Sequence, residues 1–142
     1  MTVKHILGDK GSEIISVEET DTVISAIQLL KEKRIGAVLV KSAGKIAGIL
    51  SERDIVRALV EEGGGLLQQP VSGLMTRDVV TCAPHESIAE VMSLMTERRI
   101  RHLPVVEDDE LVGMISIGDV VKQRIAETEQ EANALKEYIA TG

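Results

Sequence analysis

Arg34–Asp54 reads RIGAVLVKSAGKIAGILSERD and Arg99–Asp119 reads RIRHLPVVEDDELVGMISIGD; the two stretches align position for position at a spacing of 65 residues. The register extends without a gap from residues 14–58 onto 79–123. Nine positions are identical: Leu29/Leu94, Glu32/Glu97, Arg34/Arg99, Ile35/Ile100, Val40/Val105, Gly48/Gly113, Ser51/Ser116, Asp54/Asp119 and Val56/Val121. Conservative pairs such as Ser16/Thr81, Asp21/Glu86, Thr22/Ser87 and Arg57/Lys122 keep the same register. A match that survives two turns marks a duplicated structural unit.

Each copy carries the same periodicities. A short apolar run (Ile14–Val17; Val79–Cys82) predicts a strand, and Asp21-Thr22 or Glu86-Ser87 opens a helix. Val23, Ala26, Ile27 and Leu30, like Ile88, Val91, Met92 and Met95, recur at helical spacing and form one apolar face. Nearly unbroken apolar runs (Ala37–Val40; His102–Val106) predict buried strands. Turns at Ser42–Lys45 and Glu107–Glu110 return the chain as Ile46–Leu50 and Leu111–Ile115. A second helix starts at Ser51 or Ser116. The fold class is therefore α+β, with two β-α-β-β-α repeats. A unit of about 60 residues buries only about 60% of its unfolded surface. Two such units are expected to pack about a pseudo-twofold axis, with paired clefts between them. The expected division is 1–66 and 67–125, joined by the Gly-rich connector Glu61–Pro70, with 126–142 as a C-terminal helical extension. Val121, Ile125, Thr128, Ala132, Leu135 and Ile139 make a heptad-like stripe on that last helix. It serves equally for lying across its own domain or for a subunit contact.

Composition narrows the function. The chain has 142 residues, 44% hydrophobic and 27% charged, with a formal charge of -7. That balance speaks against a general nucleic-acid binder, which must neutralise phosphates. One cysteine, Cys82, permits neither an internal disulfide nor a multi-thiolate zinc site. His5, His85 and His102 are scattered, so no metal is expected. The uncharged runs are too short to span a bilayer, and Met1–Lys10 lacks a secretory apolar core. A cytoplasmic protein away from membranes is the expectation. With neither Trp nor Phe in the chain, any flat heterocycle would be sandwiched by aliphatic side chains and backbone.

Chemistry concentrates at Gly48-Ile49-Leu50-Ser51-Glu52-Arg53-Asp54 and Gly113-Met114-Ile115-Ser116-Ile117-Gly118-Asp119, each a Gly-x-x-Ser-x-x-Asp that leaves a strand and enters a helix. Read structurally, Ser-x-x-Asp is a capping-box variant in which the hydroxyl serves the N–H three residues on. Read functionally, a helix N-terminus suits a phosphate, and a carboxylate one turn in accepts from both hydroxyls of a ribose. One side chain serves both ends.

The duplicated pattern resembles a pair of cystathionine-β-synthase (CBS) domains, the Bateman module. The resemblance covers roughly residues 3 to 125 and rests on Ile100-Arg101-His102-Leu103-Pro104-Val105-Val106, the Gly-x-x-Ser-x-x-Asp pair, the helix starts and the 65-residue repeat. It implies frequent homodimerisation and binding of an adenosine compound (AMP, ADP, ATP, NAD or S-adenosylmethionine) in clefts between the units, with no cofactor required. Asp54 and Asp119 fall where the family holds ribose. Ser51 and Ser116 fall where it meets phosphate, as do Arg101 and His102. Arg53, Ser16, Thr81 and Ala37 complete the candidate ligand-binding set. The copies differ there: Gly36-Ala37 stands opposite Arg101-His102, and Arg53 opposite Gly118, so the two sites are not expected to be equivalent.

No nucleophile with an adjacent base is discernible, so the chain is not read as an enzyme. A fragment of an inosine-monophosphate-dehydrogenase-like enzyme is disfavoured, because nothing here could form the catalytic barrel. The expectation is a regulatory nucleotide-binding module that acts on an unidentified protein partner. The rival is an interaction protein in which Ser-x-x-Asp only caps helices.

Overall fold

The computed structural model describes residues 1–11 and 13–141. The element order is α1 (Val3–Lys10), β1 (Ser16–Glu18), α2 (Val23–Lys33), β2 (Ala37–Ser42), β3 (Lys45–Ser51) and α3 (Glu52–Glu62). Two 3-10 turns (Gly63–Gln68 and Val71–Gly73) follow, then α4 (Ile88–Arg98), β4 (His102–Glu107), β5 (Glu110–Ser116) and α5 (Ile117–Thr141). The predicted β-α-β-β-α order holds in the first repeat, and the second keeps all of it but the opening strand.

The repeats agree in fine detail. Thr22 and Ser87 cap α2 and α4 by accepting from the Ser25 and Glu90 N–H groups. Arg34 (φ 56°) and Arg99 (φ 55°) end those helices in the left-handed conformation, and each N–H returns to the preceding turn. Both hairpins turn through two residues of positive φ, Ala43-Gly44 and Asp108-Asp109, the geometry that matches strand twist. Each pairing also shifts register once, at Val40/Lys41 and at Val105/Val106, which are equivalent positions.

By internal packing the chain falls into two units, Ile14–Val79 and Met1–Glu13 with Val80–Gly142. This differs from the expected 1–66/67–125 division. The segment preceding each repeat is built into the unit of the other. In the Ile14–Val79 unit, β1 pairs parallel with β2, and β2 pairs antiparallel with β3. Its core joins Val23, Ala26 and Leu30 of α2 to Val38, Val40 and Leu50 of the sheet. Leu66 of the expected connector, and Val71 just after it, are fully buried in that same core. The connector is thus a structural part of the first unit.

Among the described residues of the other unit, only β4 and β5 form a ladder. The predicted strand Val79–Cys82 is not one: it reduces to a single parallel bridge of Cys82 with Val105. The Cys82 N–H donates to the Pro104 carbonyl and the Val106 N–H to the Cys82 carbonyl, and Pro84, two residues on, lacks an N–H. Helix α1, for which the sequence offered no reading, buries Val3 and Ile6 among Ile88, Val91, Met95, Leu103, Val105 and Ile115. Helix α5 runs unbroken to Thr141 as expected. Its stripe does not lie across its own domain: Leu135 and Ile139 are exposed.

Gly48 and Gly113 mark where the flanking segment presses on each strand. A Cβ at Gly48 would sit 2.7 Å from the Thr76 carbonyl oxygen, which is backbone. One at Gly113 would meet only the Leu7 side chain, at 2.6 Å from Cδ2. Gly48→Ala is therefore expected to lower unfolding free energy by about 1–3 kcal/mol. Gly113→Ala should cost less, because a leucine rotamer can yield. Urea unfolding of both variants checks the order.

Candidate functional site

Each Ser-x-x-Asp sits at the corner where the second hairpin strand becomes a helix. At the first corner the Ser51 N–H donates to Asp54 Oδ2 (2.9 Å), as does Ser51 Oγ (3.0 Å). The Asp54 N–H donates back to Ser51 Oγ at 3.3 Å. At the second, the Ser116 N–H donates to Asp119 Oδ2 (2.8 Å) and the Asp119 N–H to Ser116 Oγ (3.2 Å). The capping reading is thus realised in both copies. The first N–H of each helix is also satisfied, Glu52 by the Gly36 carbonyl (3.0 Å) and Ile117 by the Arg101 carbonyl (2.8 Å).

The remaining candidates gather by unit. Ala37 stands opposite Ser51 in the β2–β3 register and His102 opposite Ser116 in the β4–β5 register, so each corner has one residue of the preceding strand beside it. Ala37 is 1% exposed, which leaves its backbone as the part able to meet a ligand. Arg101 and His102 belong to the same unit as Asp119; Arg101 is exposed and His102 half-buried. Arg53 is exposed on α3. Ser16 pairs with Leu39, two residues along β2 from Ala37, and Thr81 is exposed beside the Cys82 bridge.

Two residues that sequence reasoning missed complete the corners. In the first unit, Thr76 donates its N–H to the Ile49 carbonyl (2.9 Å) and its hydroxyl, at 3.4 Å, to Asp54 Oδ1. In the second, one ammonium takes both tasks: Lys10 Nζ donates to the Met114 carbonyl (3.0 Å) and to Asp119 Oδ2 (2.8 Å). Ile49 and Met114 are repeat equivalents. Lys10 lies 109 residues from its partner, and no local pattern announces it.

Electrostatics separate the corners further. Partial burial works to raise the Asp119 pKa, but hydrogen bonds from Lys10 and the Ser116 backbone, with the charge of Lys10, outweigh it and hold the carboxyl below its ordinary 3.8. Among the described residues Asp54 has no cationic partner within ion-pair distance. Cys82, buried and free, has its thiol pushed up to about 12 by burial first and the Glu86 charge second, so it stays protonated and inert at neutral pH.

A cavity of about 550 Å³ is lined by Thr2, Lys4, Ala83, Pro84, His85, Val106 and Glu107 at the end of β4, and Asp108 of the turn. It lies toward the opposite end of β4 from His102, away from the Ser-x-x-Asp corner. Among the described residues no His, Cys, Asp and Glu cluster could hold a metal ion, and no helix is long and apolar enough to cross a membrane.

The CBS domain profile matches the chain twice, over residues 3–61 and 71–125. The chain belongs to the CBS-domain family. A mitochondrial CBS domain-containing protein of Arabidopsis thaliana is 36% identical over 150 residues, covering 99% of this chain and 73% of that protein. Among solved structures, a putative signal-transduction protein with CBS domains from Burkholderia ambifaria superposes with a TM-score of 0.85 at 45% identity, covering 89% of this chain and 95% of that one. The CBS domain pair of protein MJ0100, solved in complex with 5′-methylthioadenosine and S-adenosyl-L-methionine, gives a TM-score of 0.78 at 25% identity, covering 89% and 98%.

The Asp119 interaction has a pH signature. Its folded pKa lies below the unfolded value, so its contribution to stability is fully present above about pH 3.8 and is lost as pH falls through the lowered folded value. Wild type is expected to exceed Asp119→Asn in unfolding free energy at neutral pH, with the gap closing only in that acid range. Urea titrations at stepped pH read this directly.

Proposed function

We propose that this CBS pair is a non-catalytic regulatory module that binds an adenine nucleoside or nucleotide at the two Ser-x-x-Asp corners. The observation that carries the reading is the doubled corner itself. In each, a half-buried carboxylate is held by one oxygen, Oδ2, to its serine N–H, while the other faces at most the 3.4 Å contact from Thr76. A carboxylate oriented in this way is preorganised to accept from ribose hydroxyls. The second N–H of each helix, on Arg53 or Gly118, has no partner among the described residues and lies at the positive end of the helix. It suits phosphate, with Ser51, Ser116, Arg101, His102 and Arg53 near by in sequence or register. Ser16, Thr81 and the backbone of Ala37 would border the base. The ligand complex of protein MJ0100 supports an adenosine-type ligand; AMP, ADP, ATP and NAD are the candidates we favour.

In this reading occupancy biases how the module meets a protein partner; this requires the ligand to favour one of two conformational states. Isothermal calorimetry with AMP, ATP, NAD and S-adenosylmethionine is expected to detect at least one ligand binding tighter than millimolar. Asp54→Ala and Asp119→Ala should each weaken binding by about tenfold or more. Absence of any such binding, with no ligand raising the melting temperature, would leave the corners as helix caps only.

We also propose a homodimer. Val56 (60% exposed) and Val60 (84%) on α3 have Val121 (41%) and Ile125 (54%) as their repeat equivalents on α5, so each unit presents the same aliphatic face. A surface duplicated within one chain matches a partner with the same duplication, which is a second copy. Sedimentation is expected to show a dimer for wild type and a monomer for Val60→Lys combined with Ile125→Lys; a wild-type monomer contradicts this. We further propose a cytoplasmic location.

A further inference from the structure

We propose that Lys10 makes the Asp119 corner selective for phosphorylated adenine nucleosides over neutral ones, a discrimination the Asp54 corner lacks. The inference rests on the nucleotide-binding reading above and concerns which ligand each site takes.

The argument is one of hydrogen-bond capacity and charge. A carboxylate oxygen offers about two acceptor sites. Oδ2 of Asp119 uses both, one for the Ser116 N–H (2.8 Å) and one for Lys10 Nζ (2.8 Å). Oδ1 is open to one sugar hydroxyl, but a grip that sets one hydroxyl on each oxygen needs a place on Oδ2 and so requires Lys10 to let go. A neutral nucleoside gives the released ammonium nothing in return, and it keeps only the Met114 carbonyl. A phosphate on the same ligand offers a new anionic acceptor, so the ammonium exchanges one charged partner for another. At the Asp54 corner the corresponding oxygen is held by the Ser51 N–H and the Ser51 hydroxyl. That hydroxyl rotates away without parting any charges.

Lys10 is free to make the exchange without undocking its helix. Its side chain is 38% exposed. Helix α1 stays anchored by the buried Val3 and Ile6 and by Asp9, which accepts from Gln123 Nε2 of α5. The residue acts as a switchable counter-ion: it protects the carboxylate in the empty protein and meets the phosphate in the filled one.

The test uses calorimetry with AMP and adenosine on full-length Asp54→Ala, which leaves the Asp119 corner as the reporter. The affinity ratio of AMP to adenosine is expected to exceed tenfold. Adding Lys10→Met should lower that ratio by about tenfold, mainly by strengthening adenosine, whereas Lys10→Arg, which keeps the charge, should preserve it. An unchanged ratio in Lys10→Met overturns the proposal, and circular dichroism confirms that each variant is folded. If wild type binds nucleotide but Asp54→Ala binds neither ligand, the selectivity claim fails while the nucleotide reading survives at Asp54. If wild type itself binds neither, both fail.

Discussion

A serine N–H bound to the carboxylate three residues later, at 2.9 Å in one repeat and 2.8 Å in the other, is the constraint around which this protein is organised. It closes the strand-to-helix corner and caps the helix. It also fixes one carboxylate oxygen so that the other projects in a defined direction. Capping bonds of this kind contribute on the order of 1 kcal/mol each. Their larger effect is orientation, because a carboxylate locked by its own backbone loses little freedom on meeting a ligand.

Duplication built two such corners, and the flanking segments made them different. The chain before each repeat is folded into the other repeat's unit, which brings Thr76 to Asp54 and Lys10 to Asp119. A neutral hydroxyl at 3.4 Å and an ammonium at 2.8 Å perform the same geometric task with different charge. The inequality of the sites thus arises outside the motif. Divergence within it, Arg53 against Gly118, adds to the difference.

Much of this was legible in the amino-acid order. Apolar period, turn residues and the 65-residue register located both hairpins, all four repeat helices and both capping serines, because these features depend on neighbours a few positions apart. What escaped had a different cause. The Val79–Cys82 run has strand composition, yet Pro84 and Pro104 lack the N–H groups that Glu19 and Leu39 donate in the first repeat, which reduces it to one bridge. Helix α1 carries no strong periodic signal and is held by the distant β5 and α5. The contact of Lys10 with Asp119 spans 109 residues. The shift of 65 sets Gly11, not Lys10, opposite Thr76, so even the repeat conceals that equivalence. The glycines of Glu61–Pro70 read as a linker, although Leu66 within it is fully buried.

The claim that most needs a direct observation is that Asp54 and Asp119 hold a sugar. A crystal structure of the protein grown with AMP provides it. The account predicts ribose hydroxyls within about 2.5–3.0 Å of at least one of these carboxylates, with the serine N–H bond to Oδ2 intact. AMP bound elsewhere, with both carboxylates still engaged only by their own caps, would contradict it.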